Sequence, residues 1–207
     1  LYDYPNAPNP MRVNIFLREK RLNVKKIFVD LASNENLKDD YLKINPWGTV
    51  PYLSISQKYG IAESIAICKY FEATTTNNLL FGNNAQEIAE IEMWQRKIEQ
   101  EGMNSIGECL RNSSKAFKER ALAGPNKIQQ IPELIERGKI RANLLFDIIE
   151  TKLSDSPYLI SDSFSMADID LYVTCAFAKW VKIDATEKRP KLNKWFKEIK
   201  KRPSIQK

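Results

Sequence analysis

Ile44-Asn45-Pro46-Trp47-Gly48-Thr49-Val50-Pro51-Tyr52-Leu53, followed after a short polar turn by Ile61-Ala62-Glu63-Ser64-Ile65-Ala66-Ile67-Cys68-Lys69-Tyr70-Phe71-Glu72, is the stretch from which the fold can be read. Residues 52–55 alternate and include Tyr52 and Ile55, the pattern of a strand starting at or just after Pro51. Proline lacks the donor that a central strand needs, so Pro51 belongs at the strand's first residue or edge. A Pro placed there, behind a Gly-containing turn, is also where a cis peptide can sit. Glu63 and Ser64 fall where a second strand passes into a helix, and Ile65, Cys68 and Phe71 follow at helical spacing.

A helix start exposes unpaired N–H groups and the positive end of the helix dipole, so a small anion can settle there. Ser64 adds a hydroxyl, and Glu63 adds an acceptor for an ammonium group. Together they can hold both ends of one amino acid. Capping alone also explains the pair, with Ser64 as a helix cap and Glu63 as a first-turn acid.

Asn-Pro-x-Gly-x-Val-Pro at 45–51, with Glu-Ser-x-Ala-Ile-x-x-Tyr at 63–70, resembles the glutathione transferase superfamily. The resemblance implies a thioredoxin-like first domain with a cis peptide at Pro51. It also implies that the Val50 backbone pairs with the cysteinyl unit of glutathione, while Glu63 and Ser64 hold the γ-glutamyl end. Glutathione is then a co-substrate, and the protein a homodimer.

The chain has 207 residues, 43% apolar and 28% charged, ordinary values for a globular protein large enough to bury a substantial core. No apolar run approaches the roughly 18 residues of a membrane span. The first ten residues hold no basic segment followed by an apolar one, so no secretory signal is visible. Cys68, Cys109 and Cys175 are odd in number and set among apolar neighbours, which reads as buried thiols in a reducing, cytoplasmic setting without a metal site. Histidine is absent, which excludes Ser-His-Asp and Cys-His catalysis. Lys and Arg are interleaved with Asp and Glu along the chain, no dense basic block occurs outside 197–202, and that run reads as a solvated helix face, so neither nucleic acid nor membrane is expected as a partner despite the net charge of +6.

In chain order, a strand at 1–4, a helix from about Pro10 to Arg21 and a strand at 26–31 precede a short irregular helix at 34–42. The hairpin and the helix from Ser64 follow. This βαβ, α, ββα order is that of an α/β thioredoxin-like domain, at residues 1–75. Residues 76–84 read as a linker, and 85–207 as an all-α domain. Its expected helices cover 86–111, with Ile88, Ile91, Trp94 and Ile98 on one stripe, and 133–153, carrying Leu134, Leu145, Ile148 and Ile149. Ser165 and Asp168, behind Phe164, form a capping box whose role is folding. A last amphipathic helix follows Pro190.

Glutathione chemistry needs a thiolate, and a free thiol titrates near ~8.5 unless a helix N-terminus or nearby donors lower it. In many members of the resembled family a Ser or Cys at the start of the first helix donates to the sulfur. Aligning on Arg12-Val13 puts Ala7 at that position, with no donor. Ala7-Pro8-Asn9 instead is similar to the Thr-Pro-Asn loop of the bacterial Nu-like class, with the Thr lost. An Asn9 amide can stabilise a thiolate without acting as a base. Asn9-Pro10 equally suits an N-cap and first helical residue. Asn6, the backbone N–H groups of residues 9–12 and Tyr4 are the other candidates.

By the same resemblance, Asn36 and Lys38 fall where the family binds the glycine carboxylate. The electrophile pocket is expected between the loop at 8–11, including Met11, and the first long helix of the second domain, through Met103, Ile106, Leu110 and Arg111. A Met/Ile stripe at helical spacing reads equally as core. The implied activity is attack of the glutathione thiolate on an electrophile, a disulfide or a peroxide. The alternative is a non-catalytic binding or regulatory scaffold, which Ala7 favours and the retained clamp opposes.

Overall fold

The apolar residues of the first helix, Val13, Phe16 and Leu17, are all fully or nearly fully buried, and they draw the surrounding strands into a single layer against it. In the computed structural model, which describes residues 1–153, 156–160 and 162–206, the order is β1 (Tyr2–Asp3), α1 (Pro8–Glu19), β2 (Ile27–Phe28), α2 (Asp39–Leu42), β3 (Tyr52–Ser54), β4 (Gly60–Ala62) and α3 (Ser64–Ala73). A 3-10 turn, Glu35–Leu37, precedes α2. The sheet runs β2-β1-β3-β4, with β1 and β2 parallel and the other pairs antiparallel. A parallel crossover followed by a hairpin is the thioredoxin-like arrangement expected from the sequence.

β2 lies at the sheet edge, which is why Ile27 and Phe28 remain 43% and 60% exposed while Val29 just beyond is buried. Asp3 on β1 is buried and receives the Asn14 amide on both carboxylate oxygens, at 3.2 and 3.1 Å, tying β1 to α1. α1 ends on a second buried charge. The Lys20 ammonium reaches Glu72 Oε2 at 2.9 Å and the carbonyls of Asn77 and Asn78, fastening α1 to the end of α3.

Residues 1–78, together with 122–128, form one compact unit, and residues 79–121 with 129–207 form a second. The segment 122–128 therefore belongs by packing to the first unit although it follows the helices of the second. Gly124 takes φ +110°, and a Cβ there would stand 3.3 Å from the Trp47 carbonyl oxygen.

The second unit contains α4 (Ala85–Lys97), α5 (Asn104–Ser113), α6 (Glu133–Lys152), α7 (Met166–Ala178) and α8 (Pro190–Ile199), and no strand among the described residues. The single helix expected over 86–111 is interrupted by a π-helical turn, Ile98–Met103, which separates α4 from α5. A π turn shifts the phase of the helix face. Ile88 lies before that turn and leaves the expected stripe for another reason, because steps of three residues drift around a helix of 3.6 residues per turn; it is 51% exposed, while Ile91, Trp94 and Ile98 are buried. On α6, Leu145 and Ile149 are buried but Ile148 faces out at 58% exposure. Gly138 lets α6 approach α5 closely, since a Cβ there would meet the Ser105 carbonyl oxygen at 2.5 Å.

The capping box at α7 is formed. Asp168 is fully buried and accepts from the N–H groups of Leu159 (2.8 Å) and Ser165 (3.0 Å), the Ser165 hydroxyl (3.0 Å) and the Trp195 indole (3.2 Å). It thus joins the start of α7 to α8. Cys68, Cys109 and Cys175 are buried free thiols, and burial raises Cys109 and Cys175 above the ordinary thiol range, which keeps them protonated and inert.

Two predictions come from these buried charges. Burial pushes Asp168 up to about 6, above the roughly 3.9 of an unfolded chain, so folding takes up a proton between those values. The resulting stabilisation is complete below pH ~4 and is lost as pH rises through 6, at most about 3 kcal/mol. Asp168→Asn should lower stability at every pH and remove this part of the pH 4–6 slope, read by denaturant unfolding of both proteins across that range. Lys20→Met should cost about 2–3 kcal/mol, less than a wholly buried pair because the Glu72 side chain is 12% exposed, and adding Glu72→Leu should recover part of the loss.

Candidate functional site

The antiparallel pairing of Tyr52 with Ala62 sets the geometry of the site. Continued by one and two residues, the register places Pro51 opposite Glu63 and Val50 opposite Ser64. The Val50-Pro51 peptide is cis. Three polar side chains hold the preceding loop: the Asn36 amide donates to the Gly48 carbonyl (2.7 Å), and the Tyr41 hydroxyl (2.7 Å) and Asn45 amide (2.8 Å) both donate to the Thr49 carbonyl. Asn45 has no exposed surface, and its Oδ1 accepts from the Trp47 N–H. Burial pushes the Tyr41 phenol up to about 12, so it remains a donor at neutral pH. Gly48, at φ +60°, turns the chain where a Cβ would press against the Asn36 carbonyl and Leu37.

Across the hairpin, Glu63 takes φ 70° and ψ 122°, a sparsely populated conformation for a residue with a side chain. Such a backbone costs about 1–3 kcal/mol and persists where the surroundings impose it. Glu63 is the N-cap residue of α3, and its side chain makes no capping bond. Ser64 is therefore the first helical residue rather than the cap, and its side chain is buried. The capping explanation of Glu63-Ser64 does not hold. The Ser64 hydroxyl proton and the α3 N–H groups of the first turn can be offered to an anion, with the Glu63 carboxylate exposed beside them.

The loop at the start of α1 differs from expectation in a similar way. The N-cap is Ala7, with no side-chain bond, and Pro8 and Pro10 both lie inside the first turn. Asn9 is thus not the cap. The prolines carry no N–H, and Met11 N–H bonds the Ala7 carbonyl at 3.0 Å, so Asn9 alone has a backbone donor to offer within that turn. The Asn9 side chain is exposed and its Oδ1 accepts from Arg12 Nη1 at 3.1 Å. A guanidinium has only donors, so this bond fixes the amide orientation and directs the Asn9 NH2 away from Arg12.

Arg12 is the buried side chain between these two segments that sequence reasoning missed. It is 1% exposed, and the same Nη1 lies 3.4 Å from Ser64 Oγ. One guanidinium therefore joins the α1 loop to the α3 start. The signal was present in its phase: Arg12, Phe16 and Lys20 stand at i, i+4 and i+8 on α1, and all three are buried. A cation in register with an apolar stripe is buried for a partner.

The remaining candidates are dispersed. Asn6 is exposed, and Tyr4 packs its ring on Phe28 with centroids 5.5 Å apart. Asn36 is buried and braces Gly48, so it is first a loop support, whereas Lys38 is exposed. Met11 is half-buried. In the second unit Ile106 has no exposed surface and Met103 is 7% exposed, which makes both core residues of that unit. Leu110 and Arg111 keep partial exposure, and Arg111 lies over the Phe117 ring at 4.7 Å and donates to the Arg120 carbonyl. Among the described residues no cluster of metal-ligating side chains occurs.

Residues 1–73 match the glutathione S-transferase N-terminal domain, and residues 115–203 match the C-terminal domain. Glutathione S-transferase 2 of Saccharomyces cerevisiae is 31% identical over 210 residues, covering 100% of this chain and 88% of that protein. The crystal structure of Gtt2 from Saccharomyces cerevisiae superposes with a TM-score of 0.89 at 30% identity, covering 99% of this chain and 97% of that one. A glutathione S-transferase domain-containing protein of Marinobacter aquaeolei VT8 is equally similar in structure, with a TM-score of 0.89 at 29% identity and coverage of 99% and 98%. With two domains matched and full-length relatives in sequence and structure, this chain belongs to the glutathione S-transferase family.

Proposed function

We propose that the chain is a glutathione transferase in which the hairpin clamp binds glutathione and the α1 loop stabilises its thiolate. In this reading the γ-glutamyl carboxylate sits on the Ser64 hydroxyl and the start of α3, its ammonium on Glu63, and the cysteinyl unit on the Val50 backbone beside Pro51. Lys38 takes the glycine carboxylate, with Asn36 supporting the loop. The observation that carries the reading is the strained Glu63, held at φ 70° just beyond the Tyr52–Ala62 pair that also follows the cis Val50-Pro51 peptide. A structural turn has no need of a costly conformation at that point, whereas a site that must present a carboxylate and a helix start together does.

The sulfur then meets the Asn9 amide, oriented by Arg12, with Asn6 as a further donor on the same loop. Thiolate formation is favoured here by donors and by the α1 dipole, not by a hydroxyl, because Ala7 has none. This is the Asn-bearing, Nu-like form of the loop. It suits disulfide or peroxide reduction as well as conjugation, because the stabilised glutathione thiolate is the nucleophile in each, with the leaving thiolate or alkoxide taking its proton from solvent. The protein is read as a cytoplasmic homodimer. The apolar stripe Ile140, Leu144 and Ile148 on α6, each more than half exposed, supports a second copy as its cover. Ala7 supports a second reading, a glutathione-binding scaffold without turnover.

Titration calorimetry with glutathione, beside conjugation and disulfide-reduction assays, tests both readings. Ser64→Ala should weaken glutathione binding by roughly 1–2 kcal/mol, the worth of one charge-assisted hydrogen bond. Absence of binding to the unmodified protein would overturn the enzymatic reading, and binding without turnover would favour the scaffold. Asn9→Ala should leave affinity nearly unchanged while raising the pKa of the bound thiol, followed by thiolate absorbance against pH. Arg12→Met should damage both at once, weakening glutathione binding and raising the thiol pKa. Arg12→Lys should rescue little, since an ammonium does not reproduce the planar fork.

A further inference from the structure

The excess positive charge of the chain is concentrated at its C-terminal end. Residues 188–207 hold nine of the 32 Lys and Arg residues and one of the 26 Asp and Glu residues, a local charge of +8 that leaves the rest of the chain at −2. α8 turns Leu192, Trp195 and Ile199 inward, which puts Lys191, Lys194, Lys197 and Lys200 on its exposed side at a spacing of three. The one acid, Glu198, is paired with Lys201 at 2.7 Å. Two grooves flank that pair. The first, about 810 Å³, runs past Lys191, Lys194, Lys201 and Arg202 over a floor that includes Tyr158 and Ile199. The second, about 790 Å³, is bordered by Lys197, Lys200 and Lys201.

Arg202 is set in place before any ligand arrives. Its guanidinium lies 3.8 Å over the Phe164 ring and donates to the Tyr158 hydroxyl at 3.3 Å. A cation held in this way loses little side-chain freedom on meeting an anion. We propose that this face docks a short acidic segment of a partner protein. The segment lies extended along the first groove, with its carboxylates on Lys191, Lys194 and Arg202 and an apolar side chain over Tyr158 and Ile199.

The same residues disfavour other polyanions. Single-stranded nucleic acid binds by stacking successive bases on several open rings, and this groove offers only the half-buried Tyr158. Tyr172 and Phe196 are stacked on each other with centroids 5.1 Å apart, Trp195 is 4% exposed, and Tyr158 stands edge-on to Phe164. An anionic membrane is held by basic groups together with inserted apolar ones, and none of the large apolar side chains of residues 188–206 is exposed. A groove with an apolar floor and a basic rim matches a peptide carrying both acids and a hydrophobe.

The test uses the whole protein and a fluorescein-labelled octapeptide of glutamates with two central leucines, followed by anisotropy at several salt concentrations. The peptide should bind, more weakly as salt rises, and its glutamine analogue should not. Lys191→Glu combined with Lys194→Glu should weaken binding about tenfold or more, and Arg202→Gln alone by a few fold. Lys97→Glu, an equal change of sign on α4, should leave the affinity within twofold. No binding of the peptide, tighter binding of single-stranded RNA or phosphatidylserine vesicles, or equal weakening by Lys97→Glu would each overturn the proposal. Melting curves of the variants that match the unmodified protein show that the losses are not failures to fold.

Discussion

The β3–β4 register is the constraint on which the site depends. Because Tyr52 pairs with Ala62, the proline turn that opens β3 and the Glu63-Ser64 junction that closes β4 lie opposite each other. A slip of one residue would reverse the faces of the strand and separate them. The loop before β3 is accordingly over-determined. Asn36, Tyr41 and Asn45 place three side-chain donors on two successive carbonyls, those of Gly48 and Thr49. Buried donors without partners would cost more than these bonds yield, so the loop has few alternatives.

Arg12 adds a second level of coupling. By contacting both Asn9 and Ser64 through one nitrogen, it makes the position of the α1 loop depend on the start of α3. Lys20 does the same at the opposite end of α1, where it meets Glu72 and the chain leaving α3. Two buried cations thus fasten one helix to another at both ends. Both tolerate little substitution on the partner side, since a buried cation that loses its partners is left without compensation. The helical unit uses a carboxylate in the same manner: Asp168 gathers four donors from α7, α8 and the preceding loop.

Much of this was legible in the residues. The Pro at the head of β3, the Glu-Ser helix start and the capping box at Ser165 are local signals, each decided within four or five residues of chain. Element order and the all-α second unit followed from hydrophobic period. The errors arose where phase or packing intervened. Three-residue spacing drifted Ile88 off the buried face of α4, the π turn at Ile98–Met103 broke the long helix in two, and Ile148 took the outer face of α6 because Leu145 and Ile149 already filled the inner one. The sequence left Asn9 open as a cap or a free donor, because the choice between starting α1 at Pro8 or at Pro10 rests on how the preceding loop is held.

What the sequence alone determined is the class of chain: its two kinds of unit, the Pro at the head of β3, the Glu-Ser helix start and the lack of a hydroxyl at Ala7. These depend on residue type at short spacing, and short spacing survives without three dimensions. Only the tertiary structure decided what each polar group spends its hydrogen bonds on. Asn36 braces Gly48, Ser64 is released from capping, Asn9 is oriented by Arg12, and Arg12 itself is buried between them. Such assignments depend on which donors lie within about 3 Å of which acceptors. Arg12 and Ser64 are 52 residues apart in the chain, and no local pattern brings them together.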